Sequence, residues 1–285
     1  AGRPRAGAAR SAQPMTAPVR WRATPWWPVG MLALVGLAAA AAPLLAPYAP
    51  DAIDLAARRT PPSMAHWMGT DDLGRDLLSR LLYGARLSLA IGGLAAALSG
   101  GIGVTVGAVA GWRRGWLDDL LMRATDTMLV VPRLPLLMIA AAILSPSLAG
   151  LVALVGAVGW MEPARVVRGE VRRLAGWPIV ESAHAIGLAP WRVLVRHVLP
   201  NAAPAMAVAV TLAVARAILL ESALSYFGVG VRPPTASWGT MLLQAQTAIT
   251  REPWLALGPG AAIFGTVLCV NLVGDRLAGG SPPAE

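Results

Sequence analysis

Lysine is absent from this chain of 285 residues, and all 24 of its basic side chains are arginine. A P-loop ATPase needs the lysine of G-x-x-x-x-G-K-[ST] to reach the β and γ phosphates, so ATP hydrolysis by that route is excluded. Cysteine is nearly absent too. Cys269 stands alone in an apolar stretch, which rules out a disulfide within the chain and reads as a buried thiol. His66, His184 and His197 have no ligand spacing among them, so no metal centre is expected. Neither a G-x-S-x-G elbow nor an H-E-x-x-H helix occurs, which disfavours a membrane hydrolase. Charge itself is scarce: 14% of residues are charged and 56% are hydrophobic, against roughly 25% charged in a soluble domain.

That balance describes an integral membrane protein. Windows of about 17 to 25 apolar residues mark membrane-crossing helices, and six are expected: Trp26 to Leu45, Leu87 to Ala110, Thr127 to Leu144, Leu148 to Trp160, Ala203 to Leu224 and Trp254 to Val273. The fourth is too short to cross alone and is expected to borrow Ser145 to Ser147 and part of Met161 to Arg165. No cleavable signal peptide is expected, because the first apolar run is longer than a signal core and follows a basic tail. Residues 1–25, rich in Arg, Pro and Ala, read as a disordered cytoplasmic tail, with Met15 a candidate start. Arginine sets the orientation. With both ends cytoplasmic, fifteen arginines fall on inside segments, among them Arg113, Arg114, Arg165, Arg168, Arg172 and Arg173, and seven fall outside. The net charge of +9 then reflects membrane orientation and calls for no nucleic acid.

The longest cytoplasmic segment runs from residue 161 to 202. Within it Ile179 to Ile186 reads as a short helix, Gly187 is free to adopt positive φ at its end, and Pro190 suits the first turn of a second helix. That second helix is expected to run to about Val198, where Leu199-Pro200 closes it. The first helix could act as a lever, with Ser182, Ala183 and Ala185 small enough to seat in a groove and Glu181 available to an arginine there; the plainer reading is a solvated helix holding two spans together. Glu181, Ala183, Gly187, Leu199 and Pro200 stand at the spacing of the E-A-A loop and resemble that loop in permease subunits of bacterial ABC importers. Ser182 departs from the pattern by one small residue for another.

Two further stretches narrow the resemblance. Gly69-Thr70-Asp71-Asp72-Leu73-Gly74-Arg75-Asp76 with Ser79-Arg80, and Leu224-Ser225-Tyr226-Phe227-Gly228-Val229-Gly230 with Pro233-Pro234 and Trp238-Gly239-Thr240-Met241, are similar to segments of the dipeptide, oligopeptide and nickel permease family, in its second permease subunit. Read as residues, Thr70 or Asp71 could cap a helix with Leu73, Leu77 and Leu81 on one face. Asp72, Arg75, Asp76, Ser79 and Arg80 would occupy the other, with Asp76 and Arg80 within pairing reach. Such a helix would line an outer vestibule or anchor at the headgroups. Gly228, Gly230 and Pro233 must leave helical geometry and are expected to form an outer gate element or a simple loop, with Trp238 and Trp254 at the membrane interface.

Charges inside a bilayer usually face protein or water. Arg216 could therefore line a translocation path and meet a peptide carboxylate, or pack against a partner. Glu221, five residues on, does not share its face, and Arg133 is expected to snorkel to the headgroups.

The resemblance implies an all-α membrane protein of the type I ABC importer permease fold. Its six-helix domain would cover 26–278, with an outer segment at 47–86, a cytoplasmic coupling loop at 161–202, an outer loop at 225–253 and a cytoplasmic tail at 279–285. It also implies half of a peptide pore in a bacterial inner membrane. The expected partners are a homologous permease, two ABC ATPase subunits, an extracytoplasmic substrate-binding protein and membrane lipid. No cofactor is expected on this chain, since ATP and Mg would sit on the ATPases. Nickel, opine or glutathione import remain open, as does a secondary transporter, which would need inverted repeats and broken helices with ionisable groups at the midplane.

Overall fold

A computed structural model describes residues 26–279. The tail expected over 1–25, with Met15, and residues 280–285 lie outside the described residues. Within them the chain is helical, its one extended pairing being an isolated bridge between Thr70 and Asp76.

The first apolar run gives α1 (Trp27–Ala40) and a short α2 (Ala42–Leu45). A long outer segment leads to α3 (Leu77–Arg113), whose 37 residues extend about 55 Å. The amphipathic helix expected before the second span and the span itself are thus one helix. It starts at Leu77, later than a cap at Thr70 or Asp71 would place it: Asp76 is the N-cap, its carboxylate accepting from Ser79 N.

The third and fourth spans are not simple crossings. α4 (Trp116–Val130) and α5 (Arg133–Leu144) meet at 83°, and α6 (Leu148–Gly159) and α7 (Met161–Leu174) at 44°. Pro132 causes the first break: it pushes Val131 out of the helical region, to ψ 125°. α5 and α6 have 12 residues each, about 18 Å, short of a bilayer core of about 30 Å. They form a hairpin, in which Leu137, Leu151 and Val155 pack with Leu224 and Val231.

The loop helices α8 (Pro178–Ala185) and α9 (Pro190–Val193) follow, then a π-helical turn at Leu194–Val198 and α10 (Leu199–Tyr226). Leu199-Pro200 therefore opens α10; it does not close the helix before it. The helical path runs unbroken from Pro190 to Tyr226. A proline costs little in a first turn, where its N–H would be unpaired anyway. Short α11 (Trp238–Ala245) and long α12 (Trp254–Gly279) complete the chain, so the helix runs one residue past the boundary expected at 278.

α3, α10 and α12 are long and apolar enough to cross a membrane alone, the two bent pairs raise the total to five, and α1 is apolar but shorter. The Arg276 guanidinium lies over the Trp26 ring, and Gly274 faces Leu212 and Thr211 of α10. The two ends of the described chain therefore lie close together, and α12 packs against the middle of α10.

α7 is amphipathic, with Pro163, Ala164, Val167, Val171 and Leu174 buried and Arg165, Arg172 and Arg173 outward. Its buried face meets a glycine row on α3. A Cβ on Gly103 would lie 2.6 Å from Pro163 Cβ, one on Gly107 2.4 Å from the Ala164 carbonyl, and one on Gly111 2.8 Å from the Arg168 carbonyl. Four-residue glycine spacing lets two backbones approach this closely.

Candidate functional site

The loop at 161–202 is built on that α3 and α7 platform. Pro178 opens α8 with Trp177 before it in extended geometry. Val180 and Ala183 turn inward, joining Val167, Val171, Leu174, Val193, Val198 and Ala202 in one apolar cluster. Ala183 is thus an anchor and not, as its size suggested, part of a surface that slots into a groove. Ile179, Glu181, Ser182, Ala185 and Ile186 form the outward face, with Ile186 77% exposed. Ser182 Oγ donates to the Pro178 carbonyl at 2.8 Å.

Gly187 ends α8 at φ +82°. Its N–H donates to His184 O at 2.9 Å and that of Leu188 to Ala183 O at 3.1 Å, the paired closure of a Schellman motif. At the far end, Leu199 N donates back to Leu194 O across the π turn, and Pro200 enters the first turn of α10. Beside α8 opens a groove lined by Trp112, Arg113, Arg114, His184 and Trp191. Asp118 of α4, buried, accepts from Arg168 Nη2 at 2.8 Å and pairs with Arg172 at 2.9 Å. The pairing ties α4 to α7. In the sequence Asp118 is an unremarkable acid among surface charges; its partners lie fifty residues away.

The outer segment is a buried ionic knot rather than an exposed polar face. Asp71, Arg75, Asp76, Ser79 and Arg80 are all at most 4% exposed. Asp71 accepts from Arg75 Nε at 2.7 Å and from the Leu73 and Arg75 amides. Asp76 accepts from Ser79 N and Oγ and meets His66 Nδ1 at 3.0 Å. It does not pair with Arg80, which reaches Pro50 O at 3.1 Å, Asp51 at 3.5 Å and Asp71 at 3.6 Å. Gly74 turns at φ +76° where a Cβ would collide with the Asp54 carbonyl.

Trp238, expected at the membrane interface, is 1% exposed. Its amide donates to Ser88 Oγ at 3.2 Å and its Nε1 to Leu81 O at 3.3 Å, fixing the start of α11 to α3. Gly228 turns at φ +78°, Gly230 lies against Ser225, and the Pro233-Pro234 bond is cis. Glu221 is fully buried, accepting from Ser225 Oγ at 2.9 Å and Ser88 Oγ at 3.2 Å. It faces these hydroxyls, not an open path. Arg216 behaves differently. It pairs with Glu162 of α7, which also takes Arg133 Nη2 at 2.9 Å, so Arg133 is turned inward to a partner and does not reach for headgroups. Among the described residues no group of His, Cys, Asp and Glu could hold a metal ion.

Residues 103–283 match the family model described as binding-protein-dependent transport system inner membrane component. The oligopeptide transport system permease protein OppC of Mycobacterium tuberculosis (strain ATCC 25618 / H37Rv) is 38% identical over 260 residues, covering 89% of this chain and 88% of its own. OppC of Bacillus subtilis (strain 168) is 38% identical over 261 residues, 91% of this chain and 86% of its own. Among solved structures, a chain of the inward-facing MetNI methionine ABC transporter superposes at a TM-score of 0.59 with 15% identity, over 71% of this chain and 97% of that one. The fold is that of a type I ABC importer permease.

Proposed function

The chain belongs to the binding-protein-dependent transport system inner membrane components, and from that premise we propose that it is one of two permease subunits forming the pore of an ATP-driven peptide importer. Relatives carrying the name oligopeptide permease at 38% identity over most of both chains support peptides over nickel, opines or glutathione. The partners are a homologous permease, two ATPase subunits that carry ATP and Mg, and a substrate-binding protein on the outer side. Both termini and α8 face the cytoplasm, in keeping with the arginine distribution.

The observation that carries the reading is the seating of α8: a helix closed by a Schellman turn, anchored by Val180 and Ala183, and exposed along Ile179, Glu181, Ser182 and Ile186. Such a helix is free to enter a groove on an ATPase, and its anchor cluster joins α7, α9 and the start of α10. Leu199 and Pro200 then transmit displacement into α10, which ends at the outer loop holding Gly228, Gly230, Pro233 and Trp238. Closure of the ATPases moves α8, and the helix from Pro190 to Tyr226 carries that motion toward the outer gate. Coupling of this kind is conformational; no bond is made or broken on this chain. The knot at Asp71, Gly74, Arg75 and Asp76 gives the binding protein a stiff outer rim on which to dock.

Gentle purification from the native membrane followed by mass spectrometry tests the assembly: a second permease and Walker-motif ATPases should accompany this chain, and recovery of the chain alone would overturn the reading. For the coupling loop, Glu181→Arg and Gly187→Val should abolish uptake while the protein remains in the membrane; normal transport by both would refute the role of α8. The broken helices and ionisable groups that a secondary transporter would show are present here, but the family match assigns them to a permease subunit.

A further inference from the structure

Arg133, Glu162 and Arg216 come from three different helices and meet at one depth. α5 and α6 each run about 18 Å from their turn at Ser145 to Ser147; Arg133 is the first residue of α5 and Glu162 lies in the first turn of α7, just past the end of α6. Arg216 precedes the outer end of α10 at Tyr226 by about 15 Å of helix. Along the helix axes all three lie about 15 to 18 Å from the outer helix ends, a distance that fits within a bilayer core of about 30 Å. Both helix breaks, at Pro132 and at Trp160, occur beside this cluster. Broken helices that present ionisable groups within the bilayer core border a protein-lined or water-filled space, because lipid would leave the freed backbone and charge unsolvated.

The cluster is not neutral. One carboxylate, Glu162, serves two guanidinium groups. The Arg133 side chain is 20% exposed and that of Glu162 34%, whereas that of Arg216 is 45% exposed. Arg216 has no other acid within salt-bridge range among the described residues. Its remaining N–H donors form a planar fork that fits a second carboxylate in bidentate fashion.

We propose that Arg216, held by Glu162 and backed by Arg133, is a carboxylate-binding station on the translocation path that receives the C-terminal carboxylate of a passing peptide. The inference rests on the peptide-importer reading above. An unmodified peptide carries that carboxylate whatever its sequence, so one surplus positive charge recognises varied cargo. Glu162 orients Arg216 and prevents a bare pair of arginines from trapping the ligand.

The test uses the complete importer, with both permeases, both ATPases and the binding protein, in proteoliposomes. Uptake of one peptide is compared with uptake of its C-terminal amide. The binding protein is the same in every arm, so a change in the acid-to-amide ratio reports on the permease. Arg216→Gln should lower that ratio about tenfold, the effect of one well-made charge-assisted contact, and Arg216→Lys should restore most of it. An equal loss of acid and amide uptake in Arg216→Gln would overturn the proposal, since a latch between helices predicts that result. If Arg216→Gln fails to enter the complex, Arg133→Gln carries the same expectation, and an unchanged ratio there would overturn it. A wild-type complex that hydrolyses ATP but imports neither acid nor amide would instead overturn the peptide reading itself.

Discussion

At Gly107 a single methyl group decides whether α7 can seat. An added Cβ would meet the Ala164 carbonyl at 2.4 Å, whereas one on Gly93 meets nothing within 4 Å. Gly107→Val should therefore cost about 1–3 kcal/mol by overpacking, and Gly93→Ala should be neutral or gain up to about 1 kcal/mol of helix propensity. Thermal unfolding of the two variants in detergent checks the contrast; equal melting temperatures would refute it. Individual residues also mark the limit of what could be read from the sequence. The positive φ of Gly187 follows from its place at the end of the expected short helix, whereas residue type alone does not mark Gly74 and Gly228 for it. Burial of Arg80 and Asp76 is not announced, because an acid and an arginine four residues apart suit a solvated helix face equally well. Only the fold of the outer segment over them, which brings Pro50, Asp51 and His66 close, decides the matter.

Among the elements, the outer segment and the loop helices respond to opposite kinds of change. Among the described residues Asp71 is the only buried carboxylate within reach of both Arg75 and Arg80, so Asp71→Ala leaves Arg75 with the more exposed Asp72 and Arg80 with Asp51 and the Pro50 carbonyl. Breaking one side of a buried pair costs about 3–5 kcal/mol, while replacing both partners by apolar residues is often nearly neutral. Asp71→Leu combined with Arg75→Met should accordingly be milder than Asp71→Ala, as read by the amount of folded protein in the membrane. Along α8 the sensitive residues face outward. Ile186→Asp alters an exposed side chain and should leave membrane abundance unchanged while reducing co-purification of the ATPases. Wild-type recovery of the ATPases would refute that expectation. Element boundaries followed the sequence where caps were local, as with Pro178 and Gly187 around α8. They departed from it where long-range packing intervened: Leu199-Pro200 looks like a stop, yet the π turn before it and burial of Val198 and Ala202 carry the helix through.

For the molecule as a whole, hydropathy located the long helices α3, α10 and α12, although α3 begins ten residues before the expected Leu87 and α12 ends six residues after the expected Val273. It failed at α5, whereas α6 ends within one residue of the expected fourth span. An apolar window reports how much hydrocarbon surface a segment offers and is silent about where the axis bends, so Thr127 to Leu144 read as one span although Pro132 folds it at 83°. Those two breaks leave Arg133, Glu162 and Arg216 together inside the helical bundle, about 15 Å along α10 from its outer end, with one positive charge in excess. A bacterial membrane is electrically polarised, negative inside, and moving one charge across it takes about 2.3 kcal/mol per 100 mV. An anionic group entering from outside must climb that potential, about half of it by mid-depth. A fixed positive charge inside the bundle meets the anion part-way up this climb and lowers it locally. That offset is itself independent of voltage, so it eases the passage of anionic cargo without removing the voltage dependence that the cargo's own charge dictates.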